Sequence, residues 1–476
     1  MSNSIITNLF WVRKNWARPI PLEYENVDMK NDKEIKKISK ISSKLKEKGK
    51  LTGNETIKDQ AKIIEENIDM NDINNEDGEQ MPVFCEDLKN YYQKDEKAEN
   101  DMEVDNYPNE FDSISSDEEN DFTIHPKDSL IVCGTAQDDF SNIEVYIYDE
   151  ENSGLFVHHD IVLSSFPLSM EWLPFKNGQK ANYAIVGYFS PEIEIWNLDI
   201  LDVLEPELIL GKNPTPIDDA HTNSVLSINL NPINPNVVAT AGADKKLLLW
   251  DLNSAPNKAA KRFEEHTDKI QSVKWNKLED NVLVTGSFDK TIKLFDVRTD
   301  KSSTTIKTNS DIECIDWSSI NKFMFLASFE NGRVDLFDIR KFDSVLSFQA
   351  HKKEATSVSF SPQQEALFMS TGRDSRVKIW DAQNVTTDSE GNPSPSIIME
   401  KFIKKSTGEL FCGKFADDCD YTIAVGGSKG ELFIWELEES PIFCSRFGLK
   451  FEDNVEMPDE LNNLKNKKRM VHKGKK

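Results

Sequence analysis

The chain has 476 residues and a formal net charge of −26, long enough for a large core and acidic enough to exclude a general nucleic-acid-binding surface, whose affinity comes largely from neutralising phosphates. The acidity suits basic partners or plain solubility. Cys85, Cys133, Cys314, Cys412, Cys419 and Cys444 form no Cys-x-x-Cys pair and no zinc-spaced Cys/His cluster, no apolar signal peptide opens the chain, and no run of about 18 apolar residues is long enough to span a membrane.

Residues 4–12, Ser-Ile-Ile-Thr-Asn-Leu-Phe-Trp-Val, read as a strand. They match later segments that also end in tryptophan, such as 168–172, 270–275 and 312–317. The expectation is that residues 1–21 supply the innermost strand of the first repeat unit. A frayed terminus is the alternative, but Trp11 and Trp16 argue against it. Residues 22–50 are expected to form a basic amphipathic helix, with Ile35, Ile38, Ile41 and Leu45 in one apolar stripe. Such a stripe suits docking on the rest of the chain, on a partner or on RNA. The alternative is a marginal helix that orders only when bound. Residues 51–121 are polar, and positions 61–121 hold 21 acidic and 4 basic side chains, so an acidic disordered linker is expected there. Ser115 and Ser116 precede Asp117-Glu118-Glu119, a setting that suits an acid-directed kinase and makes them candidate phosphosites.

From Phe122 a pattern repeats. Val237 to Asp251, Val282 to Asp296 and Leu367 to Asp381 each read as a short strand, a turn opened by aspartate, and an alternating strand closed by an aromatic–Asp pair. Aromatic-led ends recur at Tyr148, Trp196, Trp250, Phe295, Phe337, Trp380 and Trp435, at intervals of 42 to 55 residues. This periodicity specifies an all-β, seven-bladed β-propeller of WD repeats over 122–449. The longer intervals mark insertions near 201–220 and 384–400, the latter expected to be a loop. Ile442–Phe447 is expected to be a strand completing the outer edge of the last blade. Residues 450–476 are expected to be a flexible tail, and its last 12 residues carry seven Lys/Arg and no acid.

Three sets of polar residues stand in equivalent places: His221, Thr240, Asp244 and Trp250; His266, Thr285, Asp289 and Phe295; His351, Ser370, Asp374 and Trp380. Their chemistry resembles a hydrolase triad, but a triad needs one site and this arrangement occurs three times. In WD repeats it is a structural tetrad: carboxylate to imidazole, imidazole to hydroxyl, hydroxyl to indole N–H. Phe295 has no N–H, so the middle chain must stop at the hydroxyl. His158-His159-Asp160 suggests a metal site, but neighbours on a regular strand face opposite ways, so no metal is expected. Gly426-Gly427 and Gly211-Lys212 match no phosphate-binding loop. No catalytic residue, cofactor or small-molecule substrate is expected. Arg298 and Arg340 close successive aromatic-Asp-x-Arg boxes, which resemble the adaptor-binding box of WD-repeat substrate receptors in cullin–RING ubiquitin ligases.

Several stretches go beyond generic repeats: 124–134, 142–149, 156–173, 193–199 and Leu204-Glu-Pro206, together with the Trp11-Val-Arg13 opening, the charged segment after it and the acidic linker. These resemble the periodic tryptophan protein 1 family. The resemblance implies a nuclear, mainly nucleolar WD-repeat scaffold of ribosome biogenesis that supports pre-60S assembly and pre-rRNA processing. It also implies protein partners in those particles, and for some members chromatin at ribosomal genes. Pre-rRNA contact would fall to the basic segments 30–50 and 465–476. The competing readings are a ubiquitin-ligase substrate receptor and a histone-binding propeller.

Overall fold

A computed structural model describes residues 4–23 and 123–449, apart from 138–139, 151–153, 177–178, 212–219, 255–257, 300, 388–392 and 419–420. The basic segment from 24 to 50, the acidic stretch 51–121 with Ser115 and Ser116, and the tail 450–476 lie outside the described residues.

Seven of the eight sheets among the described residues are antiparallel and arranged as the blades of a propeller. Blade 1 has the strand order Ile5–Val12, Ser129–Ala136, Ser141–Asp149, Gly154–Leu163. Blade 2 runs Pro167–Lys176, Gln179–Tyr188, Ile193–Asn197, Leu208–Leu210. Blades 3 to 6 begin at Val225, Ile270, Ile312 and Ala355, and each is a simple four-strand meander. Among the described residues blade 7 has Leu410–Phe415, Thr422–Gly427 and Phe433–Glu436.

The blades are held together by apolar clusters that each span two neighbours. Phe263 of blade 3 and Trp275 of blade 4 share one, Phe348 of blade 5 and Trp380 of blade 6 another. This explains the sequence pattern: central strands are buried on both faces, so Val238, Leu283 and Phe368 all sit in dry surroundings. The turns between second and third strands repeat as well. Lys245, Lys290 and Ser375 take left-handed backbone angles after Asp244, Asp289 and Asp374. In two of these turns the aspartate accepts the backbone N–H two residues on, from Lys246 at 3.2 Å and Thr291 at 2.9 Å, a local bond that favours the turn over a continued strand.

The ring is joined by the N-terminus. Ile5–Val12 pairs with Ser129–Ala136 across more than a hundred residues, and its Ile6, Leu9 and Trp11 share a cluster with Cys412, Ala416 and Ala424 of blade 7. Ile6 lies directly on the bare backbone of Gly426, where any side chain would collide with it. The following loop crosses three blades. Lys14 N donates to Asp418 of blade 7 at 2.6 Å, and Lys14 Nζ pairs with Glu150 of blade 1 at 2.7 Å. Trp16 Nε1 donates to the carbonyls of Pro174 and Ala181 in blade 2 at 3.0 and 2.8 Å, its ring edge-on to Trp172 and Phe175. Ile124 N then bonds Pro19 O at 2.8 Å, so the chain returns to the point it left.

Two sequence expectations need correction. Ile442–Phe447 is not a strand: Pro441–Phe447 is an α-helix, started by proline in its first turn and ended by Gly448 at φ 69°. Phe443 is fully buried against Tyr421, and Arg446 reaches Asp381 of blade 6 at 2.5 Å, so the helix clamps blades 6 and 7. The stretch around 384–400 is not a plain loop either. Arg376–Thr387 and Pro393–Phe402 form an extended hairpin, with Val385, Thr386 and Thr387 paired to Pro395, Ser394 and Pro393. Proline is tolerated there because the strand is an edge and its missing N–H faces no partner.

Candidate functional site

The three His/Asp/hydroxyl sets are drawn together inside blades 3, 4 and 6. In blade 3, His221 Nδ1 lies 3.0 Å from Asp244, His221 Nε2 lies 2.8 Å from Thr240 Oγ1, and Trp250 Nε1 donates to that oxygen at 2.8 Å. In blade 6 the same links join His351 to Asp374 (2.9 Å), His351 to Ser370 (2.8 Å) and Trp380 to Ser370 (2.9 Å). In blade 4, His266 meets Asp289 and Thr285 at 2.8 and 2.7 Å, and Phe295 contributes only its apolar ring. One proton arrangement satisfies all of this: Nδ1–H donates to the carboxylate, the hydroxyl donates to Nε2, and the hydroxyl accepts the indole N–H. Each hydroxyl is buried, between imidazole and indole in blades 3 and 6 and against imidazole in blade 4. It has no opening toward a substrate, so the sets tie strands together.

Blades 1 and 2 lack the histidine, and a glutamate on the third strand, buried at Glu194 and half-buried at Glu144, takes a similar place. Glu194 accepts from Tyr188 Oη at 2.5 Å, Trp196 Nε1 at 3.1 Å and Ser164 Oγ at 3.2 Å. Glu144 accepts from Tyr146 Oη at 2.6 Å and Thr135 Oγ1 at 3.2 Å. Burial and the facing carboxylates push both tyrosines well above the usual phenol range. Sequence reasoning missed these groups. The repeated Glu-x-aromatic at Glu144-Val-Tyr146 and Glu194-Ile-Trp196 was the available signal.

The innermost strands bring charges to the axis of the ring. Lys414 of blade 7 reaches Glu171 of blade 2 at 3.8 Å, and Lys277 reaches Asp316 at 3.5 Å. Lys274 lies deep among them. Burial disfavours its charge, but Glu171 and Asp316 outweigh that and hold it above the usual ammonium value.

His158 and His159 do not point apart as a regular strand requires. The register shifts at His158, in a bulge opposite Val145 and Tyr146, and the two Nδ1 atoms lie 2.7 Å apart. Among the described residues no group of three or more metal-ligating side chains is assembled. The pair is better read as a proton-excluding element. Burial, aided by His158, lowers His159 to about 3, and burial also lowers His266 over the opposing pull of Asp289. A base depressed in the folded state is protonated more readily in the unfolded chain. Its contribution to stability is therefore complete above about pH 6.5 and is lost as pH falls toward the folded value. Thermal stability is expected to decline from about pH 6.5 to about 5.5, above the ordinary carboxylate values, and His159→Gln should flatten that slope in a melting series.

Arg298 and Arg340 stand at the ends of blades 4 and 5, each folded back on its own aspartate. Arg298 Nε and Nη2 lie 2.9 and 2.6 Å from Asp296, and Arg340 Nε and Nη2 lie 3.0 and 2.7 Å from Asp338. The Arg298 guanidinium holds Asp296 down at about 2. Both arginine side chains are otherwise exposed, at 69% and 60%.

Comparison with known proteins accords with this geometry. The family described as WD domain, G-beta repeat matches residues 213–251 and 342–381, and the E3 ubiquitin-protein ligase RFWD3 WD40 domain matches 253–353. An uncharacterized WD repeat-containing protein of Schizosaccharomyces pombe is 32% identical over 98% of this chain and 95% of its own length. Periodic tryptophan protein 1 of Saccharomyces cerevisiae is 27% identical over 90% of this chain and 87% of its own. The chain belongs to the periodic tryptophan protein 1 family of WD-repeat proteins. The Drosophila melanogaster homolog of periodic tryptophan protein 1 is 26% identical over 67% of this chain and 69% of its own. The name of the family has a visible counterpart in blades 1, 2, 4 and 5, where Trp11, Trp172, Trp275 and Trp317 all stand on innermost strands.

Proposed function

We propose that the protein is a non-catalytic nucleolar scaffold in ribosome biogenesis, supporting pre-60S assembly and pre-rRNA processing. The observation that carries this is the near full-length likeness to periodic tryptophan protein 1, which spans the ring and the segments outside it. The rigid ring offers top, bottom and rim surfaces to several proteins at once. Its repeated hydroxyl, imidazole and carboxylate sets are spent on tying strands together within blades, which suits assembly rather than turnover. The basic segments 30–50 and 465–476 are the candidate contacts to pre-rRNA, and Ser115 and Ser116 are candidate modification sites in the acidic stretch. Affinity purification of the tagged protein, with RNA sequencing and mass spectrometry, tests the reading. Pre-rRNA spacer and large-subunit assembly factors should be recovered together. Histones alone would replace it with a chromatin role.

One observation favours a second reading. The match to a ubiquitin-ligase WD40 domain spans 253–353, which includes Arg298 and Arg340. A substrate receptor would recruit a cullin–RING adaptor through those exposed guanidinium groups. Changing both to alanine should leave the melting temperature essentially unchanged, because exposed ion pairs contribute little. Loss of a co-purifying cullin adaptor in that double variant would establish the ligase role. Unchanged recovery of pre-ribosomal material would support the scaffold.

A further inference from the structure

Every blade opens with the same irregularity. Near the start of each innermost strand the pairing with the second strand shifts register, which leaves Thr7, Leu168, Leu226, Gln271, Glu313, Thr356 and Phe411 in equivalent bulges. The innermost strands touch one another in turn around the ring, so their free edges surround its axis. A bulge re-aims a side chain out of the regular pleat. All seven side chains are half-buried. They form a collar at one mouth of the channel, on the side where the Asp244, Asp289 and Asp374 turns lie.

The collar is not uniform. Thr7 Oγ1 donates to Gly134 O at 3.1 Å and Thr356 Oγ1 to Leu410 O at 3.0 Å, so both hydroxyls are used within the ring. Phe411, Leu168 and Leu226 make one arc apolar. Across from them stand Gln271 and Glu313, on neighbouring blades 4 and 5. Among the described residues neither of these side chains has a hydrogen bond. The cations near Glu313 are turned elsewhere: Lys269 Nζ lies 3.7 Å from the centroid of the Phe288 ring, and Arg373 lies 3.6 Å from Glu354. Burial holds the Glu313 carboxyl above the usual carboxylate range; Glu330 and Glu354 add to this, and Lys269 and Arg373 oppose it. Three carboxylates against two cations leave the site with an excess of negative charge. A carboxylate withdrawn from water without a hydrogen bond is costly, and an incoming donor removes that cost.

We infer that this mouth takes the side chain of an arginine carried by a basic segment of a partner protein. The methylene stem of arginine suits the arc of Phe411, Leu168 and Leu226. Its planar fork presents several N–H groups at once, enough to serve both the Glu313 carboxylate and the Gln271 carbonyl, whereas lysine brings a single point charge. Arg373 Cζ already lies 6.0 Å from the ring centroid of Phe411 while its charge acts on Glu313, so a guanidinium is sustained in this setting. The net charge of −26 draws such a segment toward the protein. The inference concerns the ring alone and does not depend on a role in ribosome biogenesis.

Saturation-transfer NMR on the full chain tests this with the end-capped peptide Gly-Ser-Arg-Ser-Gly. Two further peptides carry lysine, or citrulline, which keeps the shape of arginine without its charge. Magnetisation should pass to the arginine methylenes, and the citrulline peptide should bind at least about tenfold more weakly. Glu313→Gln should weaken the arginine peptide by a similar factor, and Gln271→Ala should weaken it less. Glu365→Gln removes a carboxylate at the far end of the strands and should leave binding unchanged. The peptide series uses the unaltered protein, so it decides the matter even if a variant fails to fold. No transfer from the arginine peptide would overturn the inference, as would equal binding of the lysine or citrulline peptide. Undiminished binding by a folded Glu313→Gln would do the same.

Discussion

Deletion of residues 1–16 is expected to abolish the cooperative thermal transition of the closed ring. Ile6, Leu9, Phe10, Trp11 and Val12 are each 5% exposed or less. Burying one such side chain contributes about 1.5–3 kcal/mol, so the strand as a whole supplies on the order of 10 kcal/mol, comparable to the net stability of an entire domain. Removing it also bares Leu130–Ala136 as an inner edge and withdraws the loop by which Lys14 and Trp16 bridge blades 7, 1 and 2. A single change, Leu9→Ala, should already cost about 2–5 kcal/mol in a urea titration. Because the strand is joined to its sheet only non-covalently, a peptide of residues 1–21 added to the deleted chain should restore the transition. A deleted chain that melts like the parent would show that the ring closes without it.

The second large effect concerns the tetrad hydroxyls. Ser370→Ala strands two buried groups, His351 Nε2 and Trp380 Nε1, and Thr240→Val strands His221 Nε2 and Trp250 Nε1. Thr285→Val strands His266 Nε2 alone, because Phe295 has no donor. At about 1–3 kcal/mol for each buried group left without a partner, the first two changes should cost about 2–5 kcal/mol and the third about half as much. Denaturation midpoints measured side by side decide it. Equal losses in all three blades would mean that the indole links carry no stability. The groups that these changes would strand lie in the middle of blades, away from any surface offered to a partner. Loss of partner binding without loss of stability would therefore contradict the structural role.

The propeller was readable because its units repeat: the aspartate-opened turns at Asp244, Asp289 and Asp374 and the aromatic six residues later recur with little drift. The tetrads were readable for the same reason. What escaped was local and unrepeated. Phe443, Cys444 and Phe447 alternate poorly for a strand, while Pro441 and Gly448 bracket a short helix, and the expectation of a fourth strand overrode those end signals. The bulge at His158 could not be foreseen, because an extra residue shows only in the pairing register and leaves no mark in composition. Glu144 and Glu194 were passed over because a carboxylate on a central strand usually argues for exposure, and only the facing Tyr146, Tyr188 and Trp196 offset the burial of Glu194 and the half-burial of Glu144. Nothing in the residue chemistry pointed to ribosome assembly. That reading rests on relatedness.

The seam of the ring has a consequence for how the molecule is made. Trp11 Nε1 bonds Lys414 O at 3.4 Å, and Lys14 N bonds Asp418, although more than four hundred residues separate each pair. The strand can therefore join blade 7 only after more than four hundred further residues have been made. Pairing with Ser129–Ala136 is available as soon as blade 1 is made, but the side of Ile6, Leu9 and Trp11 that meets Cys412, Ala416 and Ala424 stays bare until blade 7 follows. Any stall before blade 7 therefore leaves a product whose ring cannot seal.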